Sequence, residues 1–270
     1  MGTRVFIFVR SIFALIGLFA MAWTAHAQVL IIYGAASNPA YAQDVVTELQ
    51  AANLNLGPIT IYNAGGSNPV PSLATLQQYQ AVLAFSDSGG FSDPVGLGNN
   101  LAAYVNGGGG VVEAVFANGS IPITGAWESG GYSPFNPGNQ SEDTPLTLGT
   151  ILEPNSPILA GVTSFSGGTS SYYSTGSLTS NAVVVADWSN GVPLIVLSPG
   201  FDGRIVSLNF YPPSSNARSD FWDATTDGGL ILANSLDFVA VPEPSTWTLL
   251  GLGAMLLGIR YRRRLLRRPV

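Results

Sequence analysis

The chain has 270 residues, 46% of them apolar, with sixteen carboxylates, ten arginines, no lysine, no cysteine and a single histidine, His26. Without cysteine there is no thiol nucleophile, no disulfide and no zinc site of the Cys/His kind, and with one histidine at the extreme amino-terminal side there is no imidazole base or Ser-His-Asp triad in the body. Between residues 28 and 240 two arginines stand against fifteen carboxylates, a formal charge of −13, and such a surface repels nucleic acid and anionic lipid.

The first element is a leader. Arg4 and Arg10, the apolar run from Ser11 to Trp23 and Ala25-His26-Ala27 have the layout of a secretory signal peptide over residues 1–27, cut between Ala27 and Gln28. Export through the Sec machinery and cleavage by signal peptidase follow, and His26 leaves with the leader.

Val29 to Tyr33 is a continuous apolar run, the pattern of a strand buried on both faces. Asn38-Pro39 opens a helix that carries Tyr41, Val45, Val46 and Leu49 at helical spacing and closes at Gly57-Pro58. A second strand spans Ile59 to Tyr62, a short helix Leu73 to Tyr79 and a third strand Ala81 to Phe85. A helix from about Leu97 to Val105, four glycines at 107–110 and a strand from Val111 to Phe116 complete the rhythm. Strands alternating with helices predict right-handed crossovers and a mainly parallel, flavodoxin-like sheet in one three-layer α/β domain over residues 28–240.

Residues 117–150, rich in Gly, Pro, Asn and Ser, read as a long ordered loop or insertion. Further strands are expected at Val183 to Ala186, Leu194 to Leu197 and Ile205 to Phe210, the last two joined as a hairpin through Gly200 to Gly203. A helix from Asp227 to Phe238 closes the domain.

The end of the chain, residues 241–270, differs in kind. Pro242-Glu243-Pro244 precedes Trp247 to Ile259, 13 apolar residues, and then Arg260, Arg262, Arg263, Arg264, Arg267 and Arg268. The apolar run is shorter than the ~20 residues a spanning helix usually needs. The arginine cluster nevertheless holds its side in the cytoplasm and makes the segment a stop-transfer handle, a C-terminal transmembrane sorting helix. Two prolines around Glu243 keep the junction extended, as a protease substrate must be.

This ordered set of three elements resembles the PEP-CTERM sorting signal of Gram-negative bacteria. The resemblance implies processing by exosortase, a membrane protease that cuts near Pro-Glu-Pro. It also implies an inner-membrane-anchored precursor and a destination in the cell envelope or extracellular matrix, in association with exopolysaccharide. The body in turn resembles the glutamine-amidotransferase-like fold, in particular its branch similar to trehalose-utilisation proteins. That resemblance is carried by Leu101 to Val112, Asn155 to Val162 and Gly203 to Phe210. The amidotransferase nucleophile and its partner are a Cys and a His, and the body holds neither, so that activity is excluded.

Ligands of parallel sheets sit beyond the carboxyl ends of the strands. The loops Gly34 to Pro39, Ser86 to Asp93 and Ala117 to Ser120 therefore come into question. Asp87 and Asp93, with Ser86 and Ser88, have oxygens suited to Ca²⁺ or to sugar hydroxyls, while helix capping and turn formation explain the same residues. Glu113 interrupts an apolar strand and is either a functional acid or a structural residue that faces an edge or pairs with Arg204. Trp127, Tyr132 and Phe135 suit a carbohydrate-stacking platform or the packing of the insertion. The four glycines follow a helix rather than precede one, and no lysine accompanies them, so they are not a phosphate loop. No catalytic residue, cofactor or metal is assigned. The reading is an exported, non-catalytic envelope or matrix protein. The alternative is a carboxylate-dependent enzyme acting on envelope glycans through Glu113, Glu128 or Asp87.

Overall fold

A computed structural model describes residues 27–240, apart from 36–37, 53–55 and 143. The leader before Ala27, the Pro242-Glu243-Pro244 motif, the apolar run after it and the six terminal arginines lie outside the described residues. The chain divides into two units, His26–Val241 being the one described here.

In chain order the domain runs β1 (Ala27–Gly34), α1 (Pro39–Ala51), β2 (Leu56–Asn63), α2 (Leu73–Leu76), β3 (Ala81–Ser86), α3 (Pro94–Asn106) and β4 (Gly110–Ala114). Then come α4 (Ala126–Ser129), β5 (Gln140–Ser141), β6 (Leu148–Ile151), a 3₁₀ turn (Pro157–Leu159) and β7 (Tyr173–Ser174). β8 (Val183–Trp188), β9 (Pro193–Leu197), β10 (Ile205–Leu208) and α5 (Gly228–Val239) complete it.

The helix starts follow from the side chains that precede them. Asn38, Ser72 and Asp93 each sit at an N-cap and accept a backbone N–H of the first turn, with Pro39 and Pro94 supplying a first residue that needs no amide donor. At the other end of α3 the glycines close the helix. The amides of Gly107, Gly108 and Gly109 donate to carbonyls of Ala103, Tyr104 and Val105. Gly108 turns the chain at φ 89°, a conformation that side chains resist. Gly110 then starts β4 against the backbone of Val239, where a Cβ would collide. The four glycines serve as a helix stop and a close approach.

Eight strands form one sheet in the order β2-β1-β3-β4-β10-β9-β8-β6. The pairings from β2 to β10 are parallel, and those of β10 with β9, β9 with β8 and β8 with β6 are antiparallel. The sheet is thus mixed, and mainly parallel describes only its first five strands. The physical reason is β10: its hairpin with β9 turns the chain back, so every strand beyond it pairs antiparallel.

Alternation along the parallel strands divides the core in two. Val29, Ile31, Tyr33, Leu83 and Phe85 point to the face covered by α1 and α5, and Leu30, Ile32, Val82 and Ala84 to the face covered by α2, α3 and α4. Both sets are fully or almost fully buried, which is why these strands read as unbroken apolar runs.

Residues 117–150 are more structured than a long loop. They contain α4, β5, which pairs antiparallel with β7 further along the chain, and most of β6, which adds an edge strand to the main sheet. The short two-residue strands carry no periodicity to read.

Candidate functional site

The loops after β1, β3 and β4 lie at one end of the sheet, and a fourth element, the segment after β10, joins them. Ala35 bridges Gly89, and the amide of Asp87 donates to the carbonyl of Gly34. Asp87 itself follows the last residue of β3. Its Oδ1 accepts the Ser88 amide at 2.6 Å, and its Oδ2 accepts the hydroxyl of Tyr211 at 2.8 Å. Burial and then the adjacent Asp87 carboxylate push the Tyr211 phenol far above its ordinary range, so it remains a hydrogen-bond donor at every physiological pH.

Tyr211 anchors a cluster of rings. Its centroid lies 5.8 Å from Phe85, 5.2 Å from Phe116, 4.9 Å from Phe221 and 6.2 Å from Tyr41, and Phe116 lies 5.2 Å from Tyr172. Most of these contacts are edge-to-face, the arrangement that places a positive ring edge on a negative face. Phe85, Phe116, Tyr211 and Phe221 are buried, while Tyr41 and Tyr172 are half-buried.

Arg218 covers the cluster from outside. Its guanidinium stands 4.2 Å from the Phe221 centroid and 5.7 Å from that of Tyr172. Nε donates to Asp220 Oδ1 at 2.6 Å, and Nη2 donates to Asp220 Oδ2 at 2.7 Å and to the Tyr172 hydroxyl at 2.6 Å. The Arg218 hydrogen bond holds the Asp220 carboxyl below its usual range. This is the one ion pair among the described residues.

The other sequence candidates go elsewhere. Asp93 is exposed and caps α3 through the Gly96 amide at 2.8 Å. Asp87 and Asp93 therefore serve different partners, and among the described residues no group of three or more His, Asp or Glu could hold a metal ion.

Glu113 neither faces an edge nor pairs with Arg204. It lies on β4 between β3 and β10, fully buried, on the side of α3 and α4. Trp127 Nε1 donates to its Oε2 at 2.7 Å and Ser133 Oγ to its Oε1 at 2.5 Å. Ser207, its register partner on β10, adds a third hydrogen bond and itself accepts Asn118 Nδ2 at 3.0 Å. Burial dominates these bonds and pushes the Glu113 carboxyl up to about 7. Arg204 instead donates from Nη1 to the Phe238 carbonyl at 2.7 Å and stacks over the Phe238 ring, closing the end of α5.

Trp127, Tyr132 and Phe135 are buried. Trp127 stacks on Tyr132, and Tyr132 on Phe201 at 4.3 Å, so these rings pack the insertion onto the sheet. Glu128 is exposed on α4. Two open grooves, of about 280 Å³ beside Ile61 to Asn63 and about 330 Å³ between β6 and Thr163 to Ser166, have no carboxylate in their walls.

The residues that sequence reading passed over are Tyr41, Tyr172, Tyr211, Arg218 and Phe221. One signal pointed there: Arg218 is one of only two arginines in the body.

The last helix ends at Val239, and the PEP-CTERM protein-sorting motif matches residues 240–264. The chain carries a PEP-CTERM sorting signal. The match takes in Pro242, Glu243 and Pro244 and four of the six arginines, Arg260, Arg262, Arg263 and Arg264. A PEP-CTERM signal implies an exported, membrane-anchored precursor that exosortase sorts to the cell surface. No curated protein matches this PEP-CTERM-bearing chain by sequence. Among solved structures it is similar to a ThuA-like protein from Parabacteroides merdae ATCC 43184, with a TM-score of 0.57 and 16% identity over 81% of this chain and 94% of that one. It is also similar to a ThuA-like protein from Bacteroides uniformis ATCC 8492, with a TM-score of 0.59 and 14% identity over 83% and 96%. At these identities the likeness is one of fold, and it agrees with the resemblance to trehalose-utilisation proteins.

Proposed function

We propose that the chain is an exported cell-envelope or extracellular-matrix protein whose body is a non-catalytic binding domain. The leader at residues 1–27 takes it through the Sec machinery and is removed by signal peptidase at Ala27-Gln28. The segment 241–270 then holds the precursor in the inner membrane through a short helix, its arginines inside, until exosortase cuts near Pro242-Glu243-Pro244. The body ends in the envelope or matrix, among exopolysaccharide.

One observation carries this reading: the PEP-CTERM motif begins at residue 240, directly after the last helix of a closed, anionic α/β domain. The body's chemistry supports the non-catalytic part, since it has no Cys, His or Lys. Its most acid-like candidate, Glu113, is sealed among Trp127, Ser133 and Ser207, where no substrate reaches. A carboxylate-dependent glycan enzyme needs two acids facing one cleft. Glu113 is buried, Glu128 is exposed and Asp87 is engaged by Tyr211, so the geometry lends that alternative no support.

The test is the intact mass of the protein recovered from the envelope of the parent strain and of a strain lacking exosortase. The expected parent mass starts at Gln28 and ends near residue 243, and the mutant strain retains the tail. A full-length mass in the cytosol, both ends present, overturns the reading.

A further inference from the structure

The rings at the carboxyl ends of β3, β4 and β10 form a floor with a polar rim, and the two parts are physically joined. Tyr211 donates to Asp87 and lies 4.9 Å from Phe221, and Phe221 carries the Arg218 guanidinium at 4.2 Å. Phe221 is itself buried beneath Arg218, whereas Tyr41 and Tyr172 are half-buried.

The rim offers both hydrogen-bonding senses. Arg218 is 43% exposed along its side chain, and Asp220 and Tyr172 fix its Nε and Nη2. Its Nη1 enters none of the hydrogen bonds among the described residues, so one edge of a rigid donor fork stands ready without further ordering. Asp87 is half-buried and accepts one bond on each oxygen, which leaves lone pairs on both.

Charge narrows the ligand. The Arg218 charge is already matched by Asp220, Asp87 adds another negative charge, and the body carries −13 in all. A phosphate, sulfate or uronate would meet net repulsion. A neutral polyol would not: its hydroxyls donate to Asp87 and accept from Arg218, and its C–H faces lie on ring surface in the usual manner of a mostly apolar site with a few placed polar groups.

We propose that Tyr41 and Tyr172, with Arg218 and Asp87, bind a neutral saccharide. This deepens the reading of the body as a binding domain and rests on it.

The experiment titrates the full-length chain, in micelles of a zwitterionic detergent free of sugar headgroups, with cellohexaose, maltohexaose, mannohexaose and hexagalacturonate, and follows the heat of binding. At least one neutral hexasaccharide binds saturably, and hexagalacturonate binds at least about tenfold more weakly. Tyr172→Ala and Arg218→Gln each weaken the neutral ligand by about tenfold or more, while Leu152→Ser on an exposed edge leaves it unchanged. Asp87→Asn, which keeps the side chain's size, is expected to weaken it likewise and serves as the readout should truncation of Tyr172 unfold the domain. The proposal is overturned if none of the neutral sugars binds, if the uronate binds as tightly, or if the folded rim variants bind as the parent does. A chain that is cut and sorted correctly yet binds no sugar refutes this site alone and leaves the export reading standing.

Discussion

Ser133 Oγ donates to Glu113 Oε1 at 2.5 Å, a bond that ties the insertion after β4 to the middle of the sheet in a place closed to solvent. Two consequences concern pH and packing.

The Glu113 carboxyl is raised from 4.5 to about 7, with burial the leading cause. A carboxyl whose folded pKa lies above its unfolded value favours the folded state while it is protonated. The contribution is complete below about pH 4.5 and is lost as pH rises through 7, a change of about 3 kcal/mol at 1.36 kcal/mol per unit. Thermal unfolding measured from pH 5 to 8 should therefore show falling stability in the parent. Glu113→Gln should flatten that slope and equal or exceed the parent at pH 8.

Trp127 supplies the second donor to Glu113 and stacks on Tyr132. Trp127→Phe keeps a ring but removes the N–H, leaving a buried carboxyl oxygen one partner short. A loss of about 1–3 kcal/mol in urea unfolding is expected. The loss should be larger at pH 8 than at pH 5, because the ionised carboxylate depends more on its donors.

Arg204 stabilises the end of α5 through Phe238 and does nothing for Glu113. Arg204→Ala should cost about 1 kcal/mol. Combined with Glu113→Gln the two effects should add within about 0.5 kcal/mol, as they do for sites without a shared partner. A coupling well beyond that in a double-mutant cycle would restore the ion pair that the structure denies.

The sorting tail yields a prediction that leaves the body untouched. Glu243→Ala should leave the precursor uncut, read as a larger mass in the inner-membrane fraction. Replacement of the six terminal arginines by glutamine should weaken retention of the tail on the cytoplasmic side, read by protease accessibility of that end.

Much of this was readable along the chain. The runs Val29 to Tyr33 and Ala81 to Phe85 are apolar throughout because helices cover both faces of those strands. Asn38-Pro39 marked a helix start because the cap and the first turn are local chemistry, whereas the helix expected from about Leu97 begins three residues earlier, at Pro94 behind the Asp93 cap. Pro-Glu-Pro, the apolar run and the arginines stood out for the same reason: a sorting signal is recognised as a contiguous piece.

What the sequence determined by itself is thus everything that depends on composition or on neighbours a few positions apart: the strands of the parallel half, the helix cap at Asn38, the absence of thiols and the sorting signal. Tertiary structure alone decided that β10 lies beside β4, that Glu113 meets Trp127, Ser133 and Ser207, and that rings from Tyr41 to Phe221 gather around Tyr211. Side-chain periodicity reports which face of an element is buried, but not against which distant element, because pairing across the sheet is set by closure of the whole core.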